Sequence, residues 1–146
     1  MATKGKPCIF CQIAAGKAPA RKVEENDLAL AILDINPFSD GHCLVVPRRH
    51  VAWWHQMSEA ENESVFKLAR SVSRKMMKAF HPDFVMMYAR GRRIPHTHVF
   101  LVPTSQGDLT DRFFNALELM QESPPALVRL RDRRRMDAAL RALRRA

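Results

Sequence analysis

The sequence predicts an α+β domain built on an antiparallel sheet, followed by an arginine-rich helical extension. Three observations support that class. Short apolar runs stop at turn residues, and one long segment of helical period is inserted among them. The runs also succeed one another in hairpin order rather than alternating with helices.

The elements follow in chain order. "CIFCQIAAGKAPARKVEE" reads as a turn-bearing lead-in with a small helix from Phe10 to Ala15, ended by Gly16 and kept from resuming by Pro19. Leu28–Ile35, "LALAILDI", is too short and too continuously apolar for an amphipathic helix and predicts a buried strand. "NPFSDG" is a turn, and "HCLVVP" a second strand stopped by Pro47. Leu28–Asp34 and His42–Val46 should pair as antiparallel neighbours. Ser58 with Glu61 three residues on is a capping-box signature. Val65, Leu68, Ala69, Val72, Met76 and Ala79 then mark one helical face, closed by His81-Pro82. "DFVMMYA" is a third strand, "RGRR" a tight loop, and "IPHTHVFLV" a fourth strand. "LTDRFFNALELMQ" predicts another helix, "SPP" a break, and Ala126–Ala146 a final basic helix or frayed tail.

Composition bounds the function. A chain of 146 residues with 47% hydrophobic content suits one globular domain. No apolar run approaches the roughly 18 residues of a membrane span. The basic N-terminus shows no clear secretory pattern. Three cysteines, two of them in Cys8-x-x-Cys11, argue against a disulfide framework and for the reducing cytosol. The net charge of +9 is uneven: residues 126–146 hold eight Arg and two Asp, so the rest of the chain shares only +3. The high pI therefore belongs to a tail and does not mark a nucleic-acid-binding fold.

The chemistry lies in "RIPHTHVFLVPT", Arg93–Thr104. On a strand, residues two apart share a face, which puts His96, His98 and Phe100 on one side. Histidine is the side chain whose ordinary pKa lies near neutrality. His42 opens a strand directly after Gly41, and His50 follows in "VVPRRH". Cys8 and Cys11 are open to three readings: redox pair, zinc ligands, or inert thiols. A redox pair is expected after a strand in a βαβ pattern, and none precedes Cys8. Zinc needs two more ligands, commonly histidines, and spacing alone does not choose them.

"CIFCQIAAGKAPARKVEEND", "AILDINPFSDGHCLVVPRRHV" and "PHTHVFLVP" resemble, in order, the landmarks of the histidine triad (HIT) family, across roughly Lys6 to Pro103. The resemblance implies a five-stranded antiparallel sheet per subunit in a homodimer, over residues 1–108, with 109–146 as the extension. It implies a hydrolase or transferase acting at the α-phosphate of a nucleotide, here a purine nucleotide or conjugate. His98 takes the place of the family's nucleophile and His42 that of its supporting histidine. Neutral imidazole dominates at about pH 7.4 for a pKa near 6.5, and a covalent route divides one hard displacement into two easier ones. The zinc-bearing bacterial members imply a structural Zn²⁺ on Cys8, Cys11, His50 and His96. Phe10, Ile13 and Ile35 match positions lining the base pocket, and Asp34 the carboxylate that accepts from ribose hydroxyls.

Two departures stand out. Phe100 occupies the third triad position and neither donates nor accepts a proton. The glycine-rich loop before the triad is shortened to "YARGRRIPH": Gly91 is retained, and Arg92 falls where a phosphate-facing Gln is usual. A guanidinium fork suits phosphate oxygens; two Arg on a turn are otherwise simply solvated. His55 and His81 should be surface residues, Trp53-Trp54 should pack over the sheet, and Met76-Met77 and Met86-Met87 should fill the core. Cys43 should be a buried thiol. Met136, Ala139, Leu140 and Leu143 form a narrow apolar stripe on the Arg-rich segment, which could meet nucleic acid, an anionic surface or its own dimer.

Overall fold

The computed structural model describes residues 7–122 and 124–146. Residues 1–6, part of the N-terminal segment read above, and Ser123 of the predicted break lie outside the described residues. The chain divides into two compact units, Met1–Gln106 and Gly107–Ala146.

The first unit is a five-stranded sheet in the order β1-β2-β3-β5-β4. Its strands are β1 (Lys22–Glu25), β2 (Ala29–Leu33), β3 (Cys43–Pro47), β4 (Phe84–Tyr88) and β5 (Val99–Thr104), with α1 (Ile9–Ala14) before them and α2 (Glu59–Phe80) between β3 and β4. All pairings are antiparallel. The predicted antiparallel pairing of β2 with β3 is present, and its register runs from Ala29 opposite Pro47 to Leu33 opposite Cys43.

Strand alternation sorts the core into two halves. Ala29, Ala31, Cys43, Val45, Val99 and Leu101 pack with Val65, Leu68, Ala69, Val72 and Met76 of α2. Leu30, Ile32, Leu44 and Val46 point the other way and pack with Phe10 of α1 and with Phe100. The residues that carry chemistry collect on this second face. Cys43 belongs to the first, where burial pushes its thiol up to about 11.

The structure corrects several expectations. The sequence predicts a turn-bearing lead-in where the structure has β1. Its "KVEE" is charged because it is an exposed sheet edge, where charge discourages pairing with other chains. β5 begins at Val99, not Ile94, so His96 and His98 stand on irregular backbone just before it. There the Thr97 amide donates to the Val51 carbonyl at 2.7 Å instead of joining a ladder. Trp53 and Trp54 are exposed around a 3-10 turn rather than over the sheet, and Met77, Met87 and Ala79 are exposed rather than core. His55 and His81 are exposed as expected.

In the second unit, α3 spans Leu109–Glu122 and α4 Pro125–Val128, and α5 spans Arg133–Arg145. The single final helix is interrupted by a 3-10 turn at Arg129–Arg131 and by Asp132, which leaves helical geometry. Its carboxylate then caps α5, accepting from the Arg135 amide at 3.1 Å. Met136, Leu140 and Leu143 remain exposed.

Two local devices position the site. Gly41, at φ +83°, turns the chain into His42, and a Cβ there would run into the Phe80 ring. The predicted capping box of α2 is present: Glu61 accepts from the Ser58 amide at 2.8 Å while Ser58 accepts from the Glu61 amide at 3.2 Å. The same carboxylate takes a two-pronged bond from Arg49, at 2.6 and 2.7 Å, tying the segment that carries His50 to the start of α2. With Arg49 beside it, Glu61 falls from 4.5 to about 2. Arg49 is 56% exposed, so solvent screens the ion pair and discounts what it contributes to stability. Glu61→Ala should lower unfolding stability by about 1–2 kcal/mol in denaturant titrations near pH 7. Because the folded pKa lies below the unfolded one, this contribution is full above pH 4.5 and fades as pH falls toward 2. The difference between wild type and variant should shrink over that interval.

Candidate functional site

The site is built where α1 meets the segment leading into β5. Cys8 and Cys11 flank the first turn of α1, His50 follows β3, and His96 precedes β5. One ligand atom from each of the four lies within 4.8 Å of the others. Cys8 Sγ and Cys11 Sγ sit 3.4 and 3.5 Å from His96 Nδ1, and Cys11 Sγ is 3.3 Å from His50 Nδ1.

The donor set fits zinc on two counts. Sulfur and nitrogen bound tetrahedrally at about 2.3 and 2.0 Å stand about 3.5 Å apart, close to the separations present. The fully buried His96 ring is also held for the task, since its Nε2–H donates to the Pro47 carbonyl at 2.8 Å. That leaves the Nδ1 lone pair facing the two sulfurs, as a backbone carbonyl orients a metal-binding imidazole elsewhere. Burial lowers the His96 pKa, which keeps the ring in the neutral form a metal requires.

His98 shows the reverse arrangement. Its Nδ1–H donates to the His96 carbonyl at 2.7 Å, so its Nε2 carries the lone pair. Burial lowers its pKa, opposed by that hydrogen bond and by the charge of Asp34. The ring keeps 7% exposure, and Nε2 makes no hydrogen bond among the described residues. A neutral imidazole of fixed tautomer thus presents a lone pair outward. The rings of His96 and His98 both lie against Phe10, at 5.6 and 5.2 Å between centroids.

His42 is buried beside them. Its Nδ1 accepts from the Phe38 amide at 3.2 Å, which places its proton on Nε2. That N–H finds no hydrogen-bond partner among the described residues; the nearest carboxylate oxygen, of Asp34, is 3.6 Å away. Burial lowers the His42 pKa and Asp34 opposes it. Asp34 itself accepts from the Asn36 amide at 2.7 Å.

Phe100 meets the edge of His98 at 4.9 Å, leans on His42 at 5.8 Å and stacks on Tyr88 at 4.5 Å with planes 7° apart. Tyr88 was not singled out from the sequence. The signal is cross-strand register, Tyr88 opposite Phe100, and it is invisible before the pairing of β4 with β5 is known. Burial and the charge of Asp34 raise the Tyr88 phenol, while Arg90 opposes them.

The remaining candidates are less closely gathered. Phe10 is core and Ile13 packs beside it. Ile35 is 87% exposed and packs on neither. Gly91 adopts φ +61°, and Arg92 and Arg93 project outward without an ion pair among the described residues.

Fold and site together define a small α+β domain that presents one outward imidazole lone pair beside a Cys₂His₂ cluster and a carboxylate. Residues 15–107 match the HIT domain model. A HIT-like protein of Borreliella burgdorferi is 34% identical over 108 residues, covering 69% of this chain and 78% of that protein. The adenosine 5′-monophosphoramidase of Schizosaccharomyces pombe is 38% identical over 92 residues, covering 63% of this chain and 66% of that protein. A zinc-bound histidine triad family protein from Mycobacterium smegmatis superposes with a TM-score of 0.64 at 29% identity, covering 70% of this chain and 78% of that one. The chain belongs to the histidine triad (HIT) family.

Metal analysis of protein purified without chelator should find close to one zinc per chain, and Cys8→Ser should lose most of it. Stripping the metal should lower the melting temperature and raise hydrogen exchange in α1 and at residues 94–98, because an ion held by these four residues would tie the segments together. A metal-free wild type would refute the assignment.

Proposed function

We propose that this chain is a nucleotide hydrolase that cleaves a phosphoramidate or phosphoanhydride bond at the α-phosphate of a purine nucleotide, through a nucleotidyl intermediate on His98. The observation that carries the reading is the bond from His98 Nδ1–H to the His96 carbonyl, which leaves Nε2 as the nucleophile. The name of the fission-yeast relative supports the substrate class.

In the first step Nε2 attacks phosphorus, and the bond to the leaving group breaks with its electron pair on the leaving atom. In the second, water displaces His98 and restores the neutral ring. Asp34 and the N–H of His42 orient the ribose and steady the charge, and the outward Arg92 meets phosphate. Phe10, Ile13 and Ile35 border the base, with Gly91 giving the loop its turn. A structural Zn²⁺ on Cys8, Cys11, His50 and His96 would fix the backbone whose carbonyl orients His98; it takes no part in the bond changes.

Phe100 cannot protonate a leaving group. Tyr88, whose ring stacks upon it, carries a phenol that is protonated at neutral pH, and in this reading it is the proton source. The proton passes to the leaving atom in the first step and is replaced from the attacking water in the second.

The protein also works as a homodimer in this reading. Among the described residues β4 pairs only with β5, which leaves its outer edge open. Phe84 and Met87 on β4, with Phe66, Met77 and Phe80 on α2, are exposed. Such surface favours a partner copy.

A second reading, a module that binds nucleotide without turnover, is favoured by Phe100 alone. Incubation with an adenosine phosphoramidate separates the two. Wild type should release AMP and carry label on His98, and His98→Ala should lose on the order of 10⁴-fold or more in rate while still binding AMP. Micromolar AMP binding with no release would favour the module. Tyr88→Phe keeps the ring stack and should cost about 10²-fold on an alkylamine phosphoramidate, yet little on the p-nitrophenyl ester of AMP. Because burial lowers the His98 pKa, the acid limb of the kcat/KM profile should fall below pH 6.5. Light scattering should give a dimer mass, and Met87→Glu should shift it toward monomer.

A further inference from the structure

The outward face of α2 holds a feature the reaction does not use. Lys67, Arg70, Ser71, Arg74, Lys75 and Lys78 line a recess of about 320 Å³. Their spacing follows the helical period, so the cations form one row over three turns, about 16 Å long. The opposite face of α2, Val65, Leu68, Ala69, Val72 and Met76, is buried against the sheet. The row therefore faces away from the side that the core has claimed.

The charges are not equal. Lys67 is paired with Glu63 at 2.5 Å and Lys75 with Glu24 at 2.7 Å. Ser71 donates to the same Glu24, at 2.9 and 3.0 Å. Arg70, Arg74 and Lys78 have no carboxylate partner among the described residues. Three uncompensated cations thus stand one turn apart on a rigid element.

We propose that this row is a docking surface for the phosphodiester backbone of a nucleic acid, separate from the nucleotide site and from the Arg-rich C-terminal unit. A row this long exceeds what one phosphate occupies and suits an anion repeated along a chain. The recess itself is lined by no apolar side chain, and the exposed Phe66, Met77 and Phe80 of α2 are those assigned above to the contact with a partner copy, which leaves the row without an apolar wedge for a bilayer. Recognition falls on phosphates and not on bases, since no aromatic ring lines the recess for stacking. The three free cations set the size of the effect. Each neutralised phosphate contributes about 0.9 to the slope of log affinity on log salt for duplex and about 0.7 for single strands.

The test uses the full chain with a fluorescein-labelled oligothymidylate and a labelled DNA duplex, titrated at several salt concentrations. The triple variant Arg70→Gln, Arg74→Gln, Lys78→Gln should reduce the slope by about 2–3 and weaken binding at low salt by about tenfold or more. Its melting temperature and nucleotide binding should match wild type, because the three residues lie outside core and site. Neutralising Arg141, Arg144 and Arg145 instead should leave the increment due to α2 in place. An unchanged slope in the α2 variant would assign any binding to the C-terminal unit and overturn the proposal, as would the absence of oligonucleotide binding by wild type at low salt. Equal competition by polyglutamate would overturn it in favour of an acidic protein partner. Equally α2-dependent binding to phosphatidylserine vesicles would overturn it in favour of a membrane surface.

Discussion

The site depends on the way one residue, His96, is held. Its Nε2–H is committed to the Pro47 carbonyl, which turns its Nδ1 toward the two cysteine sulfurs. Its own carbonyl accepts the Nδ1–H of His98, which leaves Nε2 of that ring free. Thus β3 sets a tautomer at position 96, and position 96 sets the opposite tautomer at 98. Because His96 is fully buried, water cannot replace these partners, and each bond is worth more than it would be at the surface. The two histidines need to be irregular in backbone to do this. In regular strand geometry the carbonyl of His96 would belong to a ladder and not to a side chain two residues on.

The aromatic pair of Phe100 and Tyr88 changes the character of the wall beside His98. An imidazole at position 100 would bring a polar, titratable group; phenylalanine brings an apolar surface and leaves His42, with its unpaired N–H, as the polar group on the β3 side. The Tyr88 stack makes that surface wider and stiffer, because two flat rings on adjacent strands restrict each other.

Much of the fold was legible because its signals are local. The capping box at Ser58 and Glu61, the inward row of α2, and the β2–β3 hairpin pattern involve residues within a few positions of each other. β1 was not legible: a charged edge strand has no apolar pattern to read, and only its neighbour β2 identifies it. Trp53, Trp54 and Met87 misled for a related reason. Apolar residues predict burial only when an element is present to cover them: Met87 lies on β4 at the end of the sheet, and Trp53 and Trp54 lie at a 3-10 turn after β3.

For the site, the sequence by itself determined the cast. It supplied two cysteines at metal-ligand spacing, histidines at 42, 50, 96 and 98, a carboxylate at 34, and a phenylalanine where a third histidine is usual. The tertiary structure alone decided which of these meet. Cys8 and His96 are 88 residues apart, and no local pattern encodes their 3.4 Å separation. It also decided tautomer and charge, since these follow from which carbonyl or amide each ring nitrogen faces and from how much water the packed sheet and α1 exclude.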